Sequence, residues 1–421
     1  MKRIIYLILL LITVTNTSAE AQFWKKKNSS SKKKPMVSKK LESTNEVAKK
    51  KTREIKYPST ITKDRYRIDV LLPLYLDEVA KDEKVENTDK LPERVQNSLR
   101  FYEGIKLAAD TLTKAGYEVD VVIHDITQAA LAPEKLIKSA ALDSADLIIG
   151  AVQSYQLSAL ANYAQKKKIN FVSVLSPADA GIVNNPYFTI TQPTLLTHIK
   201  KIRAQALKKY PDQQIHLFYR TKPSVDSAAY QYMFTDVEDL VLPLVINSLP
   251  STKQLELLFD STQTNVILLP ILDQGYVQQV MDYIQESFPS YRFDIYGLPS
   301  WKGMPKMLKT GKYPNFIINY STPFYYNVNS SMTQYLSKAY KNEFKGKLTE
   351  MTVRGFETLT LYAGYLTEYG TIFNDKMTDS PMTISRYKLS PQWTEVNDLL
   401  YFENTHCAIY RFSDGSYSVT D

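Results

Sequence analysis

The chain predicts an α/β protein built as two doubly wound parallel-sheet lobes joined by a hinge. Three observations carry that expectation: strands too apolar to leave one face in water, amphipathic helices between them, and a second set of the same alternation further along. Strands of that composition are buried on both faces, so helices cover both, and right-handed crossovers point them all the same way.

Within the first set the strands are YRIDVLLPLYL from Tyr66, EVDVVIHDI from Glu118, DLIIG from Asp146 and NFVSVLSP from Asn170. The helix RVQNSLRFYEGIKLAADTL places Val95, Leu99, Tyr102, Ile105, Ala109 and Leu112 at spacings of three or four, and Gly116 ends it. A second helix, SYQLSALANYAQKKK, repeats the pattern with Leu157, Leu160, Ala161 and Ala164. The strand ends around Tyr75, Asp125, Ser154 and Ser176 therefore share one edge of the sheet, the edge where such sheets bind ligands.

NPYFTITQP, from Asn185 to Pro193, reads as an extended segment crossing to the second set. There, helix TLLTHIKKIRAQALKKY is followed by strands QIHLFYR, VLPLVINS, NVILLPIL and RFDIYG, with helices STKQLELLF and GYVQQVMDYIQESF between them. Tyr276, Val277, Val280, Met281 and Ile284 share one face of the latter helix. NFIINYSTPFYY reads as a return crossing, MTQYLSKAYKNEF and VRGFETLTLYAGYL as helices, and CAIYRF with YSVTD as a hairpin around Asp414-Gly415. On this reading one lobe takes residues 66–190 and 323–372, the other 191–322 and 373–421, within a unit of 58–421.

The first 21 residues have the form of a signal peptide: Lys2 and Arg3, the run IIYLILLLITV, then Ala19-Glu20-Ala21, which predicts cleavage before Gln22 and an exported, periplasmic location. Residues 22–57 follow as a Lys- and Ser-rich stretch with too few apolar side chains to fold, expected to be a disordered tether. From Gln22 to Lys56, thirteen Lys or Arg face three Glu, so the chain's net charge of +8 belongs to this stretch and the remainder is slightly acidic. That distribution argues against nucleic acid as a partner. It fits an anionic envelope surface or peptidoglycan, or a plain spacer.

Cys407 is the one cysteine, so no internal disulfide forms. His406 beside it does not make a metal pair, because neighbours in an alternating segment point to opposite faces. Neither a metal nor another cofactor is expected. No G-x-S-x-G, H-E-x-x-H, P-loop or G-x-G-x-x-G occurs, and His124, His198, His216 and His406 are scattered, so the chain reads as non-enzymatic.

The order of the FYEGIKLAADTL helix, a strand ending in His-Asp, DLIIG with a Ser-containing turn, INFVSVLSP and NPYFTITQPT resembles the type I periplasmic binding proteins. Within them it resembles the branched-chain amino-acid and amide receptor branch of ABC-transporter substrate-binding proteins. YLSKAYKNEFKGKLTEMTVRGFETLTLYAGYL is similar to that family's paired helices, with Gly355-Phe356-Glu357 where the family has a Tyr-Asp-Ala. The likeness runs from about Tyr66 to the end. It implies a ligand held between two lobes, and an ABC permease or a sensor as partner. It also implies that the turns after the third and fourth strands hold a ligand carboxylate, here Gln153, Ser154 and Tyr155, then Ser176, Ala178 and Asp179. Asp179 departs from the pattern by adding a negative charge.

In the second lobe, Tyr219 and Arg220 end one strand, Asp273 ends another, and Pro299, Ser300 and Trp301 follow a third. Arg220 or Asp273 would pair with a charged ligand, and Trp301 would give an apolar contact. Each candidate also has a plainer reading: Ser154 as a helix cap, Asp179 as the start of a turn before Gly181, Arg220 and Asp273 as solvated charges, Trp301 as loop packing. If the cleft is the site, truncating Asp179 or Trp301 weakens binding and leaves the melting temperature nearly unchanged. Two functions follow: capture of a small polar solute such as an amino acid, amide or peptide-like molecule, or an envelope scaffold using the same fold.

Overall fold

The computed structural model describes residues 55–81, 84–85, 91–222, 240–304, 311–377, 384–394 and 396–420. The expected signal peptide and residues 22–54 of the tether lie outside them. Two seven-stranded sheets carry the architecture. The first half comprises β1 (Tyr66–Leu72), a short α1 (Leu76–Val79), β2 (Ala80–Lys81), β3 (Lys84–Val85), α2 (Glu93–Lys114), β4 (Val119–Asp125), α3 (Pro133–Lys138), β5 (Leu147–Gly150), α4 (Ser154–Lys167), β6 (Asn170–Ser173) and β7 (Phe188–Ile190). Next come α5 (Leu195–Lys209), β8 (Ile215–Tyr219), β9 (Val241–Val245), α6 (Thr252–Glu256), β10 (Thr264–Leu268), α7 (Gln274–Ser287), β11 (Arg292–Gly297), a 3-10 turn (Pro299–Gly303) and β12 (Phe316–Thr322). The chain closes with α8 (Ser331–Phe344), α9 (Glu350–Tyr369), β13 (Leu389–Trp393), β14 (Leu399–Asn404), β15 (Ala408–Ser413) and β16 (Ser416–Thr420).

The sheets are ordered β4-β1-β5-β6-β7-β14-β13 and β9-β8-β10-β11-β12-β15-β16. In each, the first five are parallel, and numbered within their own lobe they follow the same order, 2-1-3-4-5. Such a sheet reverses its winding between its first and third strands, which opens a crevice at their carboxyl ends. β1 is buried on both faces and its side chains divide between them: Ile68, Val70 and Leu72 join the core beneath α2 and α9, while Leu71 joins the core beneath α4.

α4 buries the stripe its spacing predicts, Leu157, Leu160, Ala161 and Ala164, and α7 buries Val277, Val280, Met281 and Ile284 with Tyr276 only half-buried. α2 differs. Its buried set shifts to Phe101, Leu107 and Ala108 beside Val95, Ile105 and Leu112, with Leu99, Tyr102 and Ala109 only half-buried. The physical reason is a second partner. α9 lies across α2 so closely that a Cβ on Gly104 would stand 2.1 Å from the Thr352 carbonyl oxygen, and one on Gly355 2.1 Å from that of Phe101. The glycine standing first in Gly355-Phe356-Glu357 is thus one half of a two-glycine notch.

Two boundaries move relative to expectation. NFIINYST is the fifth parallel strand of the second sheet, and the return crossing starts only at Pro323. Residues 389–404 extend the first sheet through β14, which runs parallel to β7 and pairs Phe402 with Thr189, so the first lobe keeps them and the second receives the chain only at β15. The terminal hairpin turns at Asp414 and Gly415, both at positive φ.

Candidate functional site

The chain leaves β7 at its carboxyl end and begins α5, on the second sheet, at Leu195. It leaves β12 likewise and returns to α8 and α9 on the first. Residues 405–407 make a third crossing, from β14 to β15. Both sheets therefore present their carboxyl edges, with their crevices, to the junction between the lobes.

On the first lobe, Gln153 caps α4 in a reciprocal pair with Gln156, its backbone N–H donating to Gln156 Oε1 at 3.0 Å. Ser154 is the first helical residue, not the cap, and is exposed, as is Tyr155 beside it at 76 %. In the next turn, Ser176 Oγ accepts from Ala178 N–H at 3.2 Å. Asp179 Oδ1 accepts from Gly181 N–H at 3.0 Å and its Oδ2 from the Tyr401 hydroxyl at 3.2 Å. The carboxylate that departs from the family pattern thus shapes a turn, with Ala180 and Gly181 at positive φ, and fastens β14 to it. Ala178 packs against the core beneath α4.

On the second lobe the two candidate charges meet each other. Arg220 Nη1 lies 3.4 Å from Asp273 Oδ2 and its guanidinium 4.7 Å over the Tyr276 ring, while Asp273 caps α7 by accepting from Tyr276 N–H at 3.1 Å. Trp301 does not face a cleft. It is 1 % exposed, lies against Gly297, and donates from Nε1 to the Ile271 carbonyl at 3.3 Å. The expectation that it supplies an apolar ligand contact is corrected: the absence of a side chain on Gly297 lets the indole sink into the lobe core. Tyr219 is buried in that lobe's other core, and the Ser300 carbonyl accepts from Gln274.

A denser polar cluster occupies the hinge. Glu403, 2 % exposed, accepts through Oε1 from Thr194 N–H at 2.8 Å, Thr194 Oγ1 at 3.0 Å and Thr197 Oγ1 at 2.5 Å, tying the end of β14 to the start of α5. Asn404 donates to the Thr191 carbonyl at 3.2 Å and accepts from the N–H groups of Lys388 and His406 at 2.9 and 3.1 Å. From α9, Arg354 donates to Gln192 Oε1 at 2.8 Å, pairs with Glu350 at 2.8 Å and lies 4.7 Å over the Phe324 ring. Glu350 also holds Lys302 of the second lobe at 2.5 Å. One turn along α9, Glu357 accepts from the N–H of Ser385 at 2.8 Å and from its hydroxyl. Burial pushes its carboxyl up to about 8, against the pull of those bonds and of Arg354. Gln192, Phe324, Arg354, Thr358, Arg386 and Asn404 are among the residues lining a small pocket here. Arg354 and Glu357, two charged residues within the buried run 352–359 of α9, are the signal that would have pointed to the hinge.

Three of the four histidines are buried. His124 Nε2 lies 2.7 Å from Asp69 Oδ1 between strands, and desolvation holds His198 and His216 neutral, down to about 3 and about 4. Cys407, next to His198, is pushed up by burial. Among the described residues no group of three or more His, Cys, Asp or Glu is placed to hold a metal ion, and no helix is long and apolar enough to cross a membrane.

Two lobes of matching strand order, joined by three crossings, define the type I periplasmic binding protein fold, and solved structures share it. The chain is similar to an ABC transporter substrate-binding protein from Desulfitobacterium hafniense in complex with Leu, at 14% identity over 85% of this chain and 100% of that one, TM-score 0.52. It is similar also to a putative branched-chain amino acid ABC transporter protein from Rhodospirillum rubrum, at 12% identity over 85% and 100%, TM-score 0.59. Full-length LpoA from Haemophilus influenzae matches at 13% identity, over 86% of this chain and 60% of that one, TM-score 0.53. No family model matches the chain, and no curated protein matches its sequence.

Proposed function

We propose that the protein is an exported, non-enzymatic solute-binding protein that captures a small polar molecule between its lobes and presents it to an ABC permease or a sensor. The observation supporting this is that both sheets turn their crevices toward one junction spanned by three short crossings, the arrangement in which hinge closure buries a ligand. Solute-binding proteins among the structural neighbours agree with it. The described residues just before β1 lie away from that junction: Thr60 and Ile61 bond to Tyr369 and Thr371 at the far end of α9, whose 20 residues separate them from Glu350 by about 30 Å.

The test is a thermal-shift panel of amino acids, amides, short peptides and sugars on the full chain, followed by calorimetry. A ligand at 100 times its dissociation constant adds about 2.7 kcal/mol to stability. Saturable stabilisation by one chemical class supports capture, and silence across the panel ends it. The envelope scaffold remains the second reading, favoured by the way Arg220 and Asp273 neutralise each other and by the Lys-rich stretch. Cosedimentation with purified cell wall, lost when residues 22–57 are deleted, is its expected result.

A further inference from the structure

The hinge pocket has a chemical bias. Two guanidinium groups, Arg354 and Arg386, are among its lining residues, and no carboxylate is among the described ones. Of the nearby acids, Glu350 bridges Lys302 and the Nη2 of Arg354, while Glu403 is engaged with Thr194 and Thr197 and Glu357 with Ser385, so the Nε edge of Arg354 faces none of them. The lining acceptors are used as well, Gln192 Oε1 by Arg354 and Asn404 Oδ1 by two backbone N–H groups. What remains is one donor of Arg354. Arg354 is 8 % exposed, and its Nε–H is buried with no partner among the described residues. A buried donor left without an acceptor is unfavourable, and an anion is the acceptor that gains most beside a guanidinium in a poorly solvated site.

We propose that this pocket is a subsite for one carboxylate group of the captured solute, with Arg354 as the clamp and Arg386 at the rim. The inference rests on the solute-binding reading for the molecule that carries the carboxylate. It moves the anion from the turns at Ser154 and Ser176, where Ser176 Oγ is already bonded to its own loop, to the hinge. Its wall comes from all three crossing regions and α9, so an anion there touches the segments that must flex on closure. A carboxylate oxygen supplies the acceptor that the Nε–H of Arg354 lacks, and a guanidinium favours a charged oxygen over a neutral one.

The experiment titrates the full chain with acetate, acetamide and chloride in a buffer free of other small anions, following the melting temperature and the heat of binding. Acetate is expected to bind saturably, acetamide not to bind, and chloride to be at least tenfold weaker. Arg354→Lys is expected to weaken acetate tenfold or more and Arg386→Gln about threefold. Acetamide or chloride equal to acetate overturns the inference, and so does unchanged acetate binding in both variants. Should Arg354→Lys fail to fold, the exposed Arg386→Gln decides alone. A solute from the wider panel that binds both variants as it binds the parent chain leaves solute capture standing and removes this subsite. Arginine-dependent acetate binding without any panel solute supports the subsite and removes capture.

Discussion

The two lobes share a strand order and are held together by different means. In the first, α2 and α9 touch backbone to backbone through Gly104 and Gly355, and the buried charges are paired or bonded: Asp69 with Arg67 and His124, Glu357 with Ser385. In the second, a ring cluster fills one face of the sheet, with Phe259 5.3 Å from Phe288 and 5.0 Å from Phe293, which is itself 5.0 Å from Phe316. One topology thus tolerates two ways of filling a core. The difference shows what each lobe cannot lose, a missing side chain in one and a large ring in the other.

Removing the ring is the largest perturbation. Trp301→Ala deletes a fully buried indole, and such truncations cost about 3–5 kcal/mol. The lowered urea midpoint is expected to be confined to the second lobe in hydrogen exchange. This reverses the expectation that the substitution spares stability, and unchanged melting would place the indole outside the core. Next is Gly355→Ala, whose methyl would stand 2.1 Å from the Phe101 carbonyl oxygen, so the helices must part, at about 1–3 kcal/mol or more. The protection lost here is that of the first lobe. If Gly104→Ala and Gly355→Ala add fully in the double variant, the notch is not one contact.

The lobes also answer pH in opposite directions. Glu357 is raised to about 8 in the fold from an ordinary 4.5, so its contribution is complete below 4.5 and lost as pH rises toward 8. His198 and His216 are lowered from 6.5 to about 3 and about 4, so theirs is complete above 6.5 and lost as pH falls through that range. Asp69 and Asp125, held low by bonds that outweigh their burial, add stability to the first lobe that is lost only in stronger acid. Between pH 4.5 and 6.5 the first lobe is expected to weaken as the second strengthens. Hydrogen exchange resolved by lobe at pH 5 and 6.5 measures this, and Glu357→Gln should flatten the first lobe's slope alone.

The elements were legible because their physics is local. Spacing alone placed Leu157, Leu160, Ala161 and Ala164 inward on α4. It misplaced the buried face of α2, because a stripe records how much of a helix is covered and not that a second helix covers part of it. Trp301 looked like a cleft residue because strand-end position is visible in a sequence, while the gap above Gly297 that admits the ring exists only after folding. The lobe boundary at 373 failed for a related reason: β14 joins the first sheet through pairing with β7, Phe402 opposite Thr189, a partner far away in the chain. The hinge cluster draws on Gln192, Arg354 and Asn404, which no local pattern joins.

The smallest effect tests how the lobes meet. Lys302 and Glu350 form the described ion pair that links the carboxyl edge of the second sheet to the first lobe, with Lys302 58 % exposed and Glu350 26 %. An exposed pair of this kind contributes about 0.2–1 kcal/mol and weakens as salt screens it. That is too little to hold the fold and enough to shift a balance between open and closed lobes by up to about fivefold. Lys302→Met is the informative variant, because Glu350→Gln would also release Arg354 at the hinge. It should raise the radius of gyration in solution scattering at low salt, leave melting nearly unchanged, and match the parent chain at high salt. A radius equal to that of the parent at low salt would mean that the crossings alone set the angle between the lobes.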